Sequence, residues 1–203
     1  MNYPQLESER LLLRKLELSD ADDIVEGLNN RDISKWLIRV PCPFTEEDVQ
    51  EYINENGERF RSKDDDKYFH WGIVLKSENK VIGAVRFWEI GGYAFAPKPS
   101  ATSEIWINEK YKGHEFGLEA KCLFTDYALR TIGTQSMISQ YRGENIASHK
   151  MNKRAGFQVF DAEGGNVLAY MTKRNWQDGK RCNPHYDRIK KYIPQPKIQE
   201  RRR

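Results

Sequence analysis

The sequence predicts a mixed α/β domain with a mostly antiparallel central sheet, and three observations lead to that prediction. Runs rich in β-branched and aromatic residues alternate with segments of helical periodicity along the 203 residues. Two pairs of strand-like runs are joined by short turns, which is typical of antiparallel hairpins. One strand-like run is followed instead by a helix and another strand, which predicts a single parallel pair.

The sequence pattern of the first part of the chain predicts one strand followed by two helices with N-cap residues. Residues 9–16 form an apolar run flanked by charge, which indicates the first strand. Ser19 is the expected N-cap of a short helix that ends near Asn29. Thr45 opens a second helix by the same capping pattern.

A hairpin and an irregular segment follow. Residues 68–75 and 81–88 are the two strands of the hairpin. Residues 91–100 contain two glycines and two prolines, so no regular element is expected there. A loop of this length inside a compact domain is more often functional than idle.

The stretch 104–120 is the one around which the chain is organised. Residues 105–107 predict a buried strand, residues 112–117 a loop with two glycines, and the period becomes helical from Leu118. This order places free backbone N–H groups beside the positive end of a helix, which suits a phosphate or pyrophosphate. The alternative is a connecting turn whose glycines serve geometry only.

The last predicted elements are a strand at 136–141, a helix at 145–154 stopped by Gly156, and an antiparallel pair at 157–161 and 167–172. We expect one domain over residues 1–176 and a basic C-terminal extension over 177–203. The extension holds nine Lys or Arg against three Asp or Glu, so it carries +6 and the remainder −3. It is either a solvated tail or a surface for nucleic acid or the ribosome.

Composition narrows the class of protein. The chain is 38% hydrophobic and 12% aromatic, which favours a globular rather than a disordered protein. No apolar run reaches the length of a membrane span and the first residues lack a signal-peptide core, so a cytoplasmic protein without a membrane partner is expected, with the nucleus as the alternative. The three cysteines are far apart, and the histidines at 70, 149 and 185 lack metal-ligand spacing, so no metal is expected.

Three blocks of the sequence resemble the GNAT N-acetyltransferases, and within them the branch of ribosomal-protein N-terminal and polyamine acetyltransferases. The blocks are Ser-Glu-Arg-Leu-Leu-Leu-Arg at 8–14 with 18–21, Ile-Trp-Ile-Asn-Glu-Lys-Tyr-Lys-Gly at 105–113 with 117–120, and Glu-Asn-Ile-Ala-Ser at 144–148 with Ala-Gly-Phe at 155–157. The resemblance covers residues 8–160. It implies the GNAT fold, in which a V-shaped splay separates the fourth and fifth of the predicted strands.

The resemblance also implies acetyl-CoA as co-substrate, with its pantetheine arm between the splayed strands and its pyrophosphate on the loop. The residues so implied are Trp106, Ile107, Asn108, Lys112, Gly113, His114, Glu115, Phe116, Gly117, Asn145 and Ser148. Glu115 stands where the family pattern has glycine. A carboxylate beside a pyrophosphate costs about 1 kcal/mol in high dielectric, so this side chain either turns away or weakens acetyl-CoA binding.

Two residues are candidates for catalysis. Ser148 matches the helix-start serine that serves in this branch to protonate the departing thiolate, whereas the tyrosine that many relatives use is replaced by Asn152. The alternative is that Ser148 only satisfies backbone N–H groups of the first turn, beside Asn145 as the N-cap. Glu104 is a candidate general base, and a solvated acid at a strand end is its alternative.

The predicted function is direct transfer of an acetyl group from acetyl-CoA to a primary amine, as found on a protein N-terminus, a polyamine or another small amine. The alternative is a catalytically degenerate acyl-CoA-binding or adaptor protein whose basic tail binds RNA or the ribosome. A monomer or a homodimer fits either prediction.

Overall fold

The structure is a computed structural model that describes residues 3–37, 40–54, 68–90, 95–161, 163–179 and 190–192. Within these residues, eight strands form one sheet. The strands are Leu6–Glu7 (β1), Leu11–Lys15 (β2), Tyr68–Leu75 (β3), Lys80–Ile90 (β4), Ser100–Ile107 (β5), Ser136–Arg142 (β6), Gln158–Asp161 (β7) and Asn166–Thr172 (β8). The helices are Ala21–Leu28 (α1), Arg31–Ser34 (α2), Glu46–Asn54 (α3), Phe116–Tyr127 (α4), Ile146–Arg154 (α5) and Lys173–Asp178 (α6).

The sheet is antiparallel except for one parallel pair, as the sequence predicts. The strand order is β1-β2-β3-β4-β5-β6-β8-β7, and β5 and β6 are the parallel neighbours. These two strands pair only from Ser100 and Ser136 to Thr102 and Ile138. Both continue past that point without pairing to each other, which confirms the predicted splay between them.

Helices cover the two faces of the sheet. On one face α4 packs on a core that includes Phe87 and Met137. On the other face α1 and α3 pack on a second core that includes Trp106. The Trp106 indole donates a hydrogen bond to the Tyr52 hydroxyl (2.8 Å). Gly27 of α1 lies over the same ring, and a Cβ there would come within 2.3 Å of it, so only glycine lets α1 cross so closely.

One predicted helix cap is wrong and another is confirmed. Ser19 lies inside a 3-10 turn, Leu18–Asp20, and does not cap α1. The neighbouring Asp20 forms an ion pair with Arg14, and its carboxylate accepts a hydrogen bond from the Glu17 N–H (2.8 Å). A 3-10 turn capped in this way therefore precedes α1. Thr45 is the cap of α3, because its own N–H donates to the Asp48 carboxylate (2.7 Å) in a reciprocal capping pair.

The packed core continues to the end of the described chain. Trp176 of α6 and Tyr192 are both buried, and the Trp176 indole donates to the Asp126 carboxylate (2.8 Å). The division at residue 176 stays a prediction. Residues 180–189 and 193–203, which hold most of the basic charge, lie outside the described residues, as do 91–94 of the predicted loop. None of the described helices combines the length and apolarity needed to span a bilayer.

Candidate active site

Two cavities meet where β5 and β6 separate. The loop cavity, of about 370 Å³, lies between the loop that precedes α4, the start of α4, and α5. The splay cavity, of about 550 Å³, lies between the diverging ends of β5 and β6 and the inner side of α5. Six residues line both cavities: Trp36, Leu37, Ile105, Asn145, Ser148 and Met151. Ligands bound in the two cavities could therefore contact each other beside the start of α5.

The start of α4 lines the loop cavity with backbone N–H groups that are not part of the helical ladder. The first hydrogen bond of the helix runs from the Glu119 N–H to the Glu115 carbonyl (2.9 Å), so the N–H groups of residues 116–118 lie outside the helical ladder. At Gly117 a Cβ would lie 3.3 Å from Ile107 and 3.5 Å from Met151. Glycine thus lets Ile107 and Met151 pack closely against the first turn of α4, whose positive end lines the loop cavity.

The charge of Glu115 is compensated within the protein. Glu115 adopts a left-handed backbone conformation (φ 66°) as the residue before α4. Its carboxylate forms an ion pair with Arg154 of α5 and accepts a hydrogen bond from the Tyr192 hydroxyl (2.8 Å). The Arg154 contact, and then the Tyr192 hydroxyl, hold the pKa of Glu115 below its usual value. The carboxylate therefore contacts both α5 and the C-terminal segment, and the positive charge of Arg154 compensates its negative charge.

The structure brings five of the predicted loop residues together and places the sixth elsewhere. Lys112, Gly113, Glu115, Phe116 and Gly117 line the loop cavity. His114 lines neither of the two cavities. Its carbonyl accepts a hydrogen bond from Arg10 (3.1 Å), and its ring stacks on Phe116 at 5.7 Å between centroids.

The three predicted residues on and after β5, Trp106, Ile107 and Asn108, differ in their relation to the loop cavity. Ile107 and Trp106 both line the loop cavity, but the Trp106 indole is buried on the opposite face of the sheet, so Trp106 offers the cavity its main chain. Asn108 lines neither of the two cavities. Its side chain accepts a hydrogen bond from the Lys110 N–H (3.1 Å) and caps the 3-10 turn after β5.

Asn145 caps helix α5, and Ser148 does not. The Asn145 side chain accepts a hydrogen bond from the Ser148 N–H (3.0 Å), so Asn145 is the N-cap of α5 as predicted. Among the described residues, none hydrogen-bonds to the Ser148 hydroxyl. Ser148 lines both cavities from the first turn of a helix whose cap is already supplied by Asn145.

Glu104 lies in the wall of the splay cavity and is not a solvated acid. Its side chain is 14% exposed, and a carboxylate oxygen lies 3.5 Å from the Arg86 guanidinium on β4. Arg86 is itself buried, with its guanidinium 4.5 Å from the centre of the Tyr52 ring. Glu104 thus faces the cavity with a buried cation behind it.

Sequence reasoning missed Lys121, which lines the splay cavity from α4. The residue is 1% exposed, and the ammonium donates a hydrogen bond to the Ser139 hydroxyl (3.0 Å). The Phe157 ring centre lies 4.2 Å from the nitrogen. Burial lowers the pKa of Lys121 from 10.5 to about 7. The available signal was that the apolar residues at 118, 120 and 122–124 are distributed over several sides of the helix, which indicates a helix without a solvent face.

The described residues contain no group of three or more His, Cys, Asp or Glu that could hold a metal ion. The chemistry that this site offers rests on the backbone donors at the start of α4, the Ser148 hydroxyl, the Glu104 carboxylate and the buried Lys121 amine.

A sequence model described as an acetyltransferase (GNAT) domain matches residues 10–158. The chain is 27% identical over 156 residues to a probable N-acetyltransferase of Bacillus subtilis, YjcK, covering 75% of this chain and 82% of that protein. Two solved structures share its fold. A GNAT-family acetyltransferase from Bacillus anthracis aligns with a TM-score of 0.68 and 21% identity, over 84% of this chain and 99% of that one. A ribosomal-protein-S5-alanine acetyltransferase from Vibrio fischeri aligns with a TM-score of 0.64 and 19% identity, over 85% and 98%.

Proposed function

Because the chain belongs to the GNAT family of acetyltransferases, we propose that it transfers an acetyl group from acetyl-CoA directly to a primary amine. The observation that carries this proposal is the junction of the two cavities at Ser148. One cavity has the features of an anion site, the other has a volume of about 550 Å³, which is enough for a small amine or a peptide end, and Ser148 lines both.

The loop cavity is the proposed acetyl-CoA site. The N–H groups at the start of α4 would bind the pyrophosphate, and Lys112, Lys150 and Arg154 line the same cavity. The edge of β5 beyond Thr102 is released from β6, so its main chain is left to pair with the pantetheine arm. The thioester would then lie at the junction beside Ser148.

The splay cavity is the proposed acceptor site. In the transfer, the bond from the amine nitrogen to the acetyl carbon forms and the carbon–sulfur bond breaks. The Ser148 hydroxyl donates a proton to the departing thiolate, and the proton lost by the amine returns to Ser148 through Glu104 or through water. Of the acceptors considered, a polyamine is the least favoured, because the cavity is lined by Lys35, Lys121 and Arg142 against Glu104.

Replacing Ser148 by alanine tests the proposed acid. We expect kcat to fall roughly 10- to 100-fold with the KM for acetyl-CoA little changed, because the hydroxyl acts on the leaving group rather than on binding. Release of free CoA thiol with a panel of amines measures both constants. Lys153→Ala, on the exposed side of α5, is the matched control and should keep native kinetics. Native kcat in Ser148→Ala would exclude this role.

Replacing Arg154 by glutamine tests the compensation of Glu115. The freed carboxylate would face the pyrophosphate site, so acetyl-CoA should bind about tenfold more weakly, or about 1.4 kcal/mol. Adding Glu115→Gly to the same chain should restore most of the affinity, because no carboxylate is left to repel the ligand. Calorimetry on the two single variants and the double variant gives the coupling. A double variant as weak as Arg154→Gln would mean that Arg154 itself binds the ligand.

A further inference from the structure

The splay cavity ends in a group of polar side chains that the proposed transfer does not use. Ser103 and Ser139 are the first residues of β5 and β6 beyond their last paired positions, so they stand at the closed end of the splay. Lys121 reaches this end from α4 and donates to the Ser139 hydroxyl (3.0 Å). The Ser103 hydroxyl and the Asn152 side-chain oxygen are buried and have no partner among the described residues.

Lys121 differs from the other charged residues of this cavity. Lys35 is paired with Asp32 (2.6 Å), Arg142 with Glu144 (3.4 Å), and Glu104 with Arg86 (3.5 Å). In the part of the chain that the structure describes, no carboxylate lies within 4.0 Å of the Lys121 nitrogen. A buried ammonium without a counter-ion is costly. A ligand that brings a negative group to this nitrogen would remove that cost.

The hydrogen-bonding capacity at this point fits a carboxylate. The Lys121 ammonium has three N–H donors, of which Ser139 uses one. The Ser139 oxygen accepts that bond, so its own O–H remains to donate. Two donors on nitrogen and one on oxygen match the acceptor-only character of a carboxylate. The Asn152 oxygen, one helical turn from Ser148, remains to accept from an amine N–H.

We propose that Lys121 and Ser139 form a carboxylate-binding site at the closed end of the splay cavity, and that the natural substrate carries a carboxylate there. The inference rests on the proposed acyl transfer and specifies its substrate. The carboxylate has two possible sources. It belongs either to the acceptor, which would be an amino acid or an acidic peptide, or to the acyl group, which would be the half-thioester of a dicarboxylic acid.

Matched substrates separate the two sources. In the first arm acetyl-CoA is offered with amines that differ only by a carboxylate, such as tyrosine against tyramine and lysine against cadaverine. In the second arm one simple amine is offered with succinyl-CoA against butyryl-CoA. We expect about a tenfold or larger preference in kcat/KM for the carboxylated member of one arm, and its loss in Lys121→Met. Methionine has similar length and no charge, so the buried volume stays filled.

Lys35→Met is the matched control, since Lys35 is a cation of the same cavity that already has a partner. It should keep the preference. The inference is overturned if neither arm shows a preference while acetyl transfer proceeds, or if Lys121→Met lowers the rate equally for all substrates, which would make Lys121 a proton acceptor. The proposed function fails separately, if no amine is acetylated in the first arm.

Binding supplies a readout that does not require turnover. Because the pKa of Lys121 is about 7, a carboxylate bound beside it at about pH 8 should draw a proton onto this amine. The other ionisable groups lining the cavity are Lys35, Glu104, Tyr141 and Arg142. Calorimetry of succinate and of the carboxylated amines with the CoA-loaded protein, in two buffers of different ionisation enthalpy, should show proton uptake in the native protein and none in Lys121→Met. Absence of any binding would overturn the inference even where no transfer is detected.

Discussion

Replacing Gly117 by aspartate is expected to weaken acetyl-CoA binding about a hundredfold or more, or by about 2.7 kcal/mol. A Cβ at this position would already lie 3.3 Å from Ile107 and 3.5 Å from Met151. The rest of the side chain would project into the loop cavity, and its carboxylate would take the place of the pyrophosphate at the N–H groups of α4.

The loss should not come from unfolding. Gly117 is the second residue of α4, and a negative charge in the first turn of a helix is favourable. Gly117→Ala separates bulk from charge, and should weaken binding less than Gly117→Asp. Calorimetry gives the affinities, and circular dichroism checks the fold. Native affinity in Gly117→Asp would show that acetyl-CoA does not bind at the start of α4.

Replacing Lys121 by methionine is expected to stabilise the fold at low pH. Burial lowers the pKa of Lys121 from 10.5 to about 7, so between these two values the unfolded chain binds more protons than the folded one. The stability of the native protein therefore rises with pH over that interval. For one group the full effect is about 4 to 5 kcal/mol. It is a destabilisation that is fully present below about pH 7 and is lost toward about pH 10.

The measurement is urea unfolding of both proteins at about pH 6 and about pH 9.5. Lys121→Met lacks this titration, while all other groups titrate alike in the two proteins. Its free energy of unfolding should exceed the native value most at the lower pH, and the difference should shrink by several kcal/mol at the higher pH. A difference that does not change with pH would mean that Lys121 keeps its ordinary pKa in the folded state.

Features encoded locally could be predicted from the sequence. Short-range patterns predict the strand, loop and helix at 105–127, and connection rules predict that β6 pairs parallel to β5. The structure confirms both. The caps at Thr45 and Asn145 depend on side chains within three residues, and both are present. Ser19 satisfied the same rule and still failed, because the capping hydrogen bond runs from the Glu17 N–H to the Asp20 carboxylate and the first turn begins at Leu18.

Features that depend on distant contacts could not be predicted. The partners of Glu115 are 39 and 77 residues away in the chain, so its compensation is invisible to a local pattern. Trp106 lies on a central strand with apolar residues on both faces, where alternation does not say which face carries the ring. Lys121 is buried because α4 is covered on several sides, and only the tertiary structure shows that its neighbour is Ser139.

Acetyl transfer to an amine is tested most directly by the identity of the product. The native protein and Gly117→Asp would each be mixed with acetyl-CoA and a panel of amines that includes peptides with free N-termini, amino acids and polyamines. The products would then be identified by mass spectrometry. We expect the native protein to add one acetyl group to an amine nitrogen and the variant to leave the panel unchanged. A native protein that binds acetyl-CoA and acetylates no member of the panel would contradict acetyl transfer to amines and would favour an acyl-CoA-binding role.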